Sequence, residues 1–133
     1  LIDDNAVTTR NLRAAAVAHG VDPARLVFAP RCAPSRFRAQ LRLADVYLDT
    51  YPYNCGSTTN DVIRAGVPLV TQYGPTMVSR MGLSMLSAVG VQKTVSQDLE
   101  NYQRIVQEIH QTAPDQRNQF VANRSHVIRL GEI

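Results

Sequence analysis

Apolar positions along this chain switch repeatedly between the three-and-four spacing of a helix and short unbroken runs, and that alternation predicts its elements. Asp3-Asp4-Asn5 offers cap residues for a helix over Val7 to His19, with Leu12, Ala15 and Ala16 on one face. Gly20, able to adopt a left-handed conformation, closes it. Leu26-Val27-Phe28-Ala29 is a short apolar run, expected as a strand buried on both faces. Pro34-Ser35 starts a second helix with Phe37, Leu41 and Ala44 in helical register, and Val46-Tyr47-Leu48 is the next strand, ending at Asp49. A turn-rich stretch from Tyr51 to Gly56 leads into a helix from about Thr59 to Ala65, which Gly66 punctuates. Pro68-Leu69-Val70-Thr71 reads as a further strand, and Pro75 or Thr76 opens a helix through Val89. Met77, Met81 and Met85 recur every fourth residue there, a spacing that core packing explains better than a cofactor-facing stripe. Leu99, Tyr102, Ile105, Val106 and Ile109 mark another amphipathic helix, and Asp115 to Leu130 is expected to form the last.

Strands alternating with helices through short loops imply right-handed crossovers, a parallel sheet and an α/β, Rossmann-like three-layer domain. Ligands of such sheets sit beyond the carboxyl ends of the strands. That rule selects four loops: Asp3 to Asn5, Pro30 to Pro34, Asp49 to Asp61, and Thr71 to Thr76. In the third, Gly56-Ser57-Thr58 precedes a helix, so free backbone N–H groups and the positive end of the helix dipole are available to a phosphate. Thr58-Thr59-Asn60-Asp61 fits a capping box equally well, with Thr58 and Asp61 satisfying the helix end themselves. In the second loop, Arg31 is suited to phosphate or to stacking on a base, but a plain connection with a surface arginine also fits. Arg36, Arg38 and Arg42 read as a solvated face.

Composition narrows the classes. With 133 residues, 44% hydrophobic and 19% charged, the chain suits one soluble globular domain, and no apolar run approaches the roughly 20 residues of a bilayer span. It does not begin with Met, and Leu1-Ile2 resembles the tail of a strand, so the expectation is one domain, residues 1–133, cut from a longer protein. The net charge is +3 and Lys93 is the sole lysine; arginine favours an anionic ligand, whereas scattered basic residues and 6% aromatics argue against nucleic acid. Cys32 and Cys55 form neither a disulfide framework nor a metal spacing, which suits a reducing, cytoplasmic setting. The glycosylation match Asn123-Arg124-Ser125 is then coincidental. His19, His110 and His126 lack a partner that would make a catalytic dyad, so a transferase would find its base elsewhere.

The ordered series Leu43-Ala44-Asp45-Val46-Tyr47-Leu48-Asp49-Thr50, Pro52-Tyr53-Asn54, Ser57-Thr58-Thr59-Asn60-Asp61, Ala65-Gly66-Val67-Pro68-Leu69-Val70-Thr71 and Gly74 through Ser79-Arg80 resembles O-linked N-acetylglucosamine transferases and Spindly-like proteins. Upstream, Asp4-Asn5, Asn11-Leu12-Arg13 and Arg25-Leu26-Val27-Phe28-Ala29-Pro30 continue it, so it covers most of residues 1–112. The resemblance implies the C-terminal lobe of a two-lobed glycosyltransferase B-type (GT-B) fold that binds a UDP-sugar. Gly56, Ser57 and Thr58 would hold the diphosphate, Asp61 the ribose, and Arg31, Cys32 and Ala33 would lie along the uracil, Cys32 through its backbone. It implies no catalytic residue here, no cofactor and no metal. The partners would be an N-terminal catalytic lobe, tetratricopeptide repeats of the parent chain and a protein acceptor. The chain departs from the family at Gly56, often histidine there, and at Pro34 and Phe37, where lysine or histidine is common. Alone, it is expected to bind nucleotide weakly and to transfer nothing.

Two other classes compete. In a receiver-type signalling domain, Asp3 and Asp4 would be the acidic pair, Asp49 the phosphoacceptor and Thr71 the switch residue. But Thr71 follows Asp49 too closely for a receiver's loop, helix and strand, Pro52 stands one place too near, and Lys93 is followed by Thr94 rather than proline. A non-catalytic nucleotide-binding module shares the same fold.

Overall fold

The computed structural model describes residues 1–3 and 5–123. Its elements are α1 (Ala6–Ala18), α2 (Pro34–Leu41), β1 (Tyr47–Leu48), α3 (Ser57–Ala65), β2 (Leu69–Gln72), α4 (Met81–Ala88), β3 (Val95–Ser96) and α5 (Leu99–Gln111), with 3-10 turns at Pro23–Arg25 and Pro114–Phe120. The chain divides into two compact units, Leu1–Phe37 and Arg38–Ile133.

In the first unit, Asn5 Oδ1 accepts the Thr8 N–H at 2.8 Å and caps α1; beyond its end, Gly20 takes φ 71°. Ile2 and Ala29 form a single parallel bridge, with Asp3 N–H on Ala29 O at 2.8 Å and Ala29 N–H on Leu1 O at 2.9 Å. The strand expected over Leu26 to Ala29 is reduced to that bridge, and Val27 is 74% exposed rather than buried on both faces. A 3-10 turn immediately upstream, where Asp22 Oδ1 accepts the Ala24 N–H, uses residues that a longer strand would need. Arg13 stacks on Phe28, 5.1 Å from the ring centre, and donates to Pro23 O at 2.7 Å.

The second unit is built on a parallel sheet in the order β1-β2-β3, with Tyr47 opposite Leu69 and Thr71 opposite Val95. Side chains alternate across β2. Val70 faces Ile105, Ile109 and Phe120, with Val46, Tyr102 and Val106 packed around them, which puts α5 on one face. Thr71 faces Gly82 of α4, on the other. Helix, sheet and helix are thus stacked in three layers, as the alternation predicted.

The elements depart from expectation in several details. β3 was not foreseen: Val95 is the lone large apolar residue there, flanked by the buried hydroxyls of Thr94 and Ser96. The helix expected from Pro75 begins only at Met81, because the hydroxyls of Thr76 and Ser79 bond each other (2.9 Å) and the backbone between them, stabilising a turn instead. Met77 consequently lies in that turn, 78% exposed, outside any core. Within the described part of the last expected helix, Pro114–Phe120 is a 3-10 turn, and α2 ends at Leu41, short of Ala44. Asp4, Arg124, Ser125, His126 and Leu130 lie outside the described residues. Among the described residues no helix is long and apolar enough to cross a membrane.

Candidate functional site

The carboxyl end of β1 is organised by one buried carboxylate. Asp49, 6% exposed, accepts N–H bonds on Oδ1 from Thr50 (2.9 Å) and Cys55 (2.7 Å), and on Oδ2 the hydroxyl of Thr71 (2.6 Å). The Tyr102 hydroxyl donates to its backbone carbonyl at 3.1 Å. Asn54, wholly buried, donates from Nδ2 to Thr50 O (2.8 Å) and Gln72 O (3.1 Å), while its Oδ1 accepts the Gly82 N–H at 3.4 Å. These bonds tie the loop after β1 to β2 and to α4. A Cβ on Gly82 would stand 2.7 Å from Asp49 Oδ2, so only glycine lets α4 approach this closely.

That loop delivers the chain into α3. The helix starts at Ser57, two residues earlier than the sequence suggested, and its cap residue is Gly56, which makes no side-chain bond to the helix end. The capping box is therefore not formed: Thr58 already lies inside the helix, and Asp61 turns to Arg38, at 3.6 Å from its Nη1. The Thr59 hydroxyl donates backwards to Cys55 O at 2.6 Å. Among the described residues, the backbone N–H groups of Gly56, Ser57 and Thr58 have no acceptor, and the Ser57 and Thr58 hydroxyls have no partner. Three consecutive donors without an internal partner at a helix amino end can take an anion without displacing any internal bond. A Cβ on Gly56 would come 2.9 Å from Met81 Cε, a flexible end that would have to shift.

Burial raises the proton affinity of the groups behind this loop. The Tyr47 hydroxyl and Cys55 Sγ lie 3.4 Å apart. Burial pushes Tyr47 well above its usual 10.0, helped by the Cys55 contact and the Asp49 charge. Cys55 rises from 9.0 chiefly through burial, against a lowering contribution from Tyr47. Tyr102 is pushed up to about 12 by burial and the Asp49 charge. All three folded values exceed the unfolded ones, so stability is intact below pH 9.0 and is lost as the pH rises toward 12, the unfolded chain releasing its protons first. The urea midpoint should accordingly fall between pH 8 and pH 11, beginning near the thiol value; a flat profile would contradict this packing.

Comparison with known proteins places the chain in a family. Residues 1–129 match the profile of glycosyl transferase family 41. The chain belongs to that family. Within family 41, the chain is 35% identical over 92 residues to a UDP-N-acetylglucosamine–peptide N-acetylglucosaminyltransferase of Caenorhabditis elegans, covering 69% of this chain and 8% of the worm protein. It is 33% identical over 84 residues to a probable UDP-N-acetylglucosamine–peptide N-acetylglucosaminyltransferase SPINDLY of Petunia hybrida, covering 62% of the chain and 9% of that protein. A solved mutant of the Thermobaculum terrenum O-GlcNAc transferase superposes with a TM-score of 0.82 at 29% identity, covering 94% of this chain and 23% of the other. The family 41 chain thus has the fold of one GT-B lobe and spans a small part of its relatives' length.

The sequence-predicted residues fall in two places. Gly56, Ser57 and Thr58 come together at the amino end of α3, and Asp61 lies one turn on, held by Arg38. Arg31, Cys32 and Ala33 lie in the other compact unit, between the Ala29 bridge and α2; neither Cys32 nor Cys55 is in a disulfide. Sequence reasoning missed the organising roles of Asp49, Asn54 and Gly82. A carboxylate closing a strand, followed by a polar turn, was the available signal for Asp49, and the receiver reading took it for a phosphoacceptor. The structure overturns that reading: the carboxylate is buried and both oxygens are occupied, one by the proposed switch residue Thr71. Of the histidines, His19 caps the end of α1 and His110 sits in the last turn of α5.

Proposed function

We propose that the chain, residues 1–133, is the donor-binding C-terminal lobe of a UDP-sugar-dependent glycosyltransferase that transfers N-acetylglucosamine to serine or threonine of a protein acceptor. The observation that carries this is the run of unpartnered amides at Gly56, Ser57 and Thr58. The diphosphate is held there, Asp61 binds the ribose hydroxyls, and Arg31, Cys32 and Ala33 line the uracil. To reach the ribose, Asp61 gives up its long contact with Arg38, a half-exposed pair of little energetic weight.

Transfer breaks the bond from the sugar's anomeric carbon to the diphosphate oxygen, and the electron pair stays with the departing UDP. Fixed N–H dipoles aimed at that oxygenated group stabilise the charge as it develops. The acceptor hydroxyl's proton goes to a base on another part of the enzyme, since this lobe contributes no catalytic side chain. No cofactor or metal is needed in this scheme. An N-terminal lobe and tetratricopeptide repeats of a parent protein complete it, in the cytoplasm. The names of the worm and petunia relatives support this choice of donor and acceptor.

Thermal denaturation of the 133-residue chain with UDP, ADP and GDP tests the reading. A nucleotide at ten times its Kd adds about 1.4 kcal/mol, a shift of roughly 5 °C for a chain of this size. UDP should produce that shift at millimolar concentration, and ADP and GDP should not. Equal shifts by all three would remove the uracil assignment, and no shift with any of them would favour a scaffold module.

A further inference from the structure

The loops that lead into α3 and α4 also frame a second concavity. Tyr51, Tyr73, Gly74, Pro75, Arg80 and Gln97 line a cavity of about 320 Å³ beyond the carboxyl ends of all three strands. The Arg80 guanidinium lies over the Tyr73 ring, 5.5 Å from its centre, and Nη1 donates to Gly74 O at 3.4 Å. Those two contacts hold the planar group, and its other N–H donors have no acceptor among the described residues. Among the described residues, no carboxylate lines the cavity. A guanidinium held over an aromatic ring presents a fork of donors, a shape that matches a carboxylate.

The surroundings decide which carboxylate. The same two loops expose Tyr51 (50%), Tyr53 (66%) and Met77, so they carry aromatic and apolar groups as well as the cation. A free anion would leave those groups bare, whereas a polypeptide would cover them. The volume is at the small end for ligand cavities, enough for one side chain and not for a whole nucleotide sugar. The loops are joined to the α3 entrance by Asn54 N–H on Val78 O at 3.0 Å and by the Gly82 N–H on Asn54 Oδ1.

We propose that this cavity receives an acidic side chain of the acceptor polypeptide, its carboxylate paired with Arg80 and the flanking chain laid over Tyr51 and Met77. Arg80 thereby selects acceptors with aspartate or glutamate near the hydroxyl to be modified. The assignment of the polypeptide as acceptor rests on the transfer reading above; the carboxylate site itself does not.

The test follows the Arg80 Nε–Hε signal by NMR in the 133-residue chain. The titrants are a blocked serine-containing heptapeptide with one glutamate and the same peptide with glutamine. The glutamate peptide should move the signal, and its affinity should fall about ten-fold on the change to glutamine and by a similar factor in Arg80→Gln, with Arg80→Lys between. Arg80 is exposed and its contacts are one long bond and the Tyr73 ring, so Arg80→Gln should melt within about 3 °C of the unaltered chain and keep its UDP-induced shift. Loss of the UDP shift in the unaltered chain would count against the donor reading while leaving the peptide result standing. Equal binding of the two peptides, or competition by inorganic phosphate or UDP at the Arg80 signal, would overturn the proposal.

Discussion

Replacing Asp49 with alanine is expected to destabilise the chain by about 3 kcal/mol, read as a lower urea midpoint at unchanged slope. The substitution strands the N–H of Cys55 and the hydroxyl of Thr71, the latter fully buried on β2. A buried donor without an acceptor costs the whole of its desolvation, whereas the bonds it makes when paired contribute far less. Asp49→Asn separates this account from a charge effect. Its amide oxygen can serve the two N–H groups, and its NH2 can donate to the Thr71 oxygen, so the loss should be about 1 kcal/mol. If alanine and asparagine were equally damaging, the carboxylate's charge, rather than its geometry, would be holding the loop.

Ser57→Asp should move stability and ligand binding in opposite directions. An aspartate in the first turn of α3 interacts favourably with the helix dipole and should stabilise the chain by roughly 0.5 kcal/mol. The same charge beside the three open amides repels a diphosphate, and UDP affinity should drop by about 100-fold. Isothermal titration and urea denaturation of the one variant read both. A merely structural amino end predicts the stability gain and no change in UDP binding.

Much of the fold was legible because periodicity reports burial. Ile105 and Ile109 recur on one face of α5 and meet Val70 in the core, and Gly66, placed as the end of α3, takes φ 73°. Leu69-Val70-Thr71 is apolar enough to read as a central strand. What escaped rests on polar residues, which leave no apolar period. Thr76 and Ser79 convert the start of a predicted helix into a turn, Thr94 and Ser96 hide β3, and Asp49 and Asn54 hold the site loop from inside. At the site itself, glycine followed by hydroxyl residues was a readable signal. The choice between capping and an open end was not, because both use the same donors; it depended on where the helix began, two residues earlier than the pattern showed.

The direct measurement is a titration of the isotopically labelled chain with UDP, following backbone amide shifts, with uridine as the control. The largest shifts should fall on Gly56, Ser57 and Thr58, downfield as each N–H gains an anionic acceptor, and uridine should leave those three unmoved. Shifts from UDP that spare them, or that uridine reproduces there, would contradict the claim that the amino end of α3 receives the diphosphate.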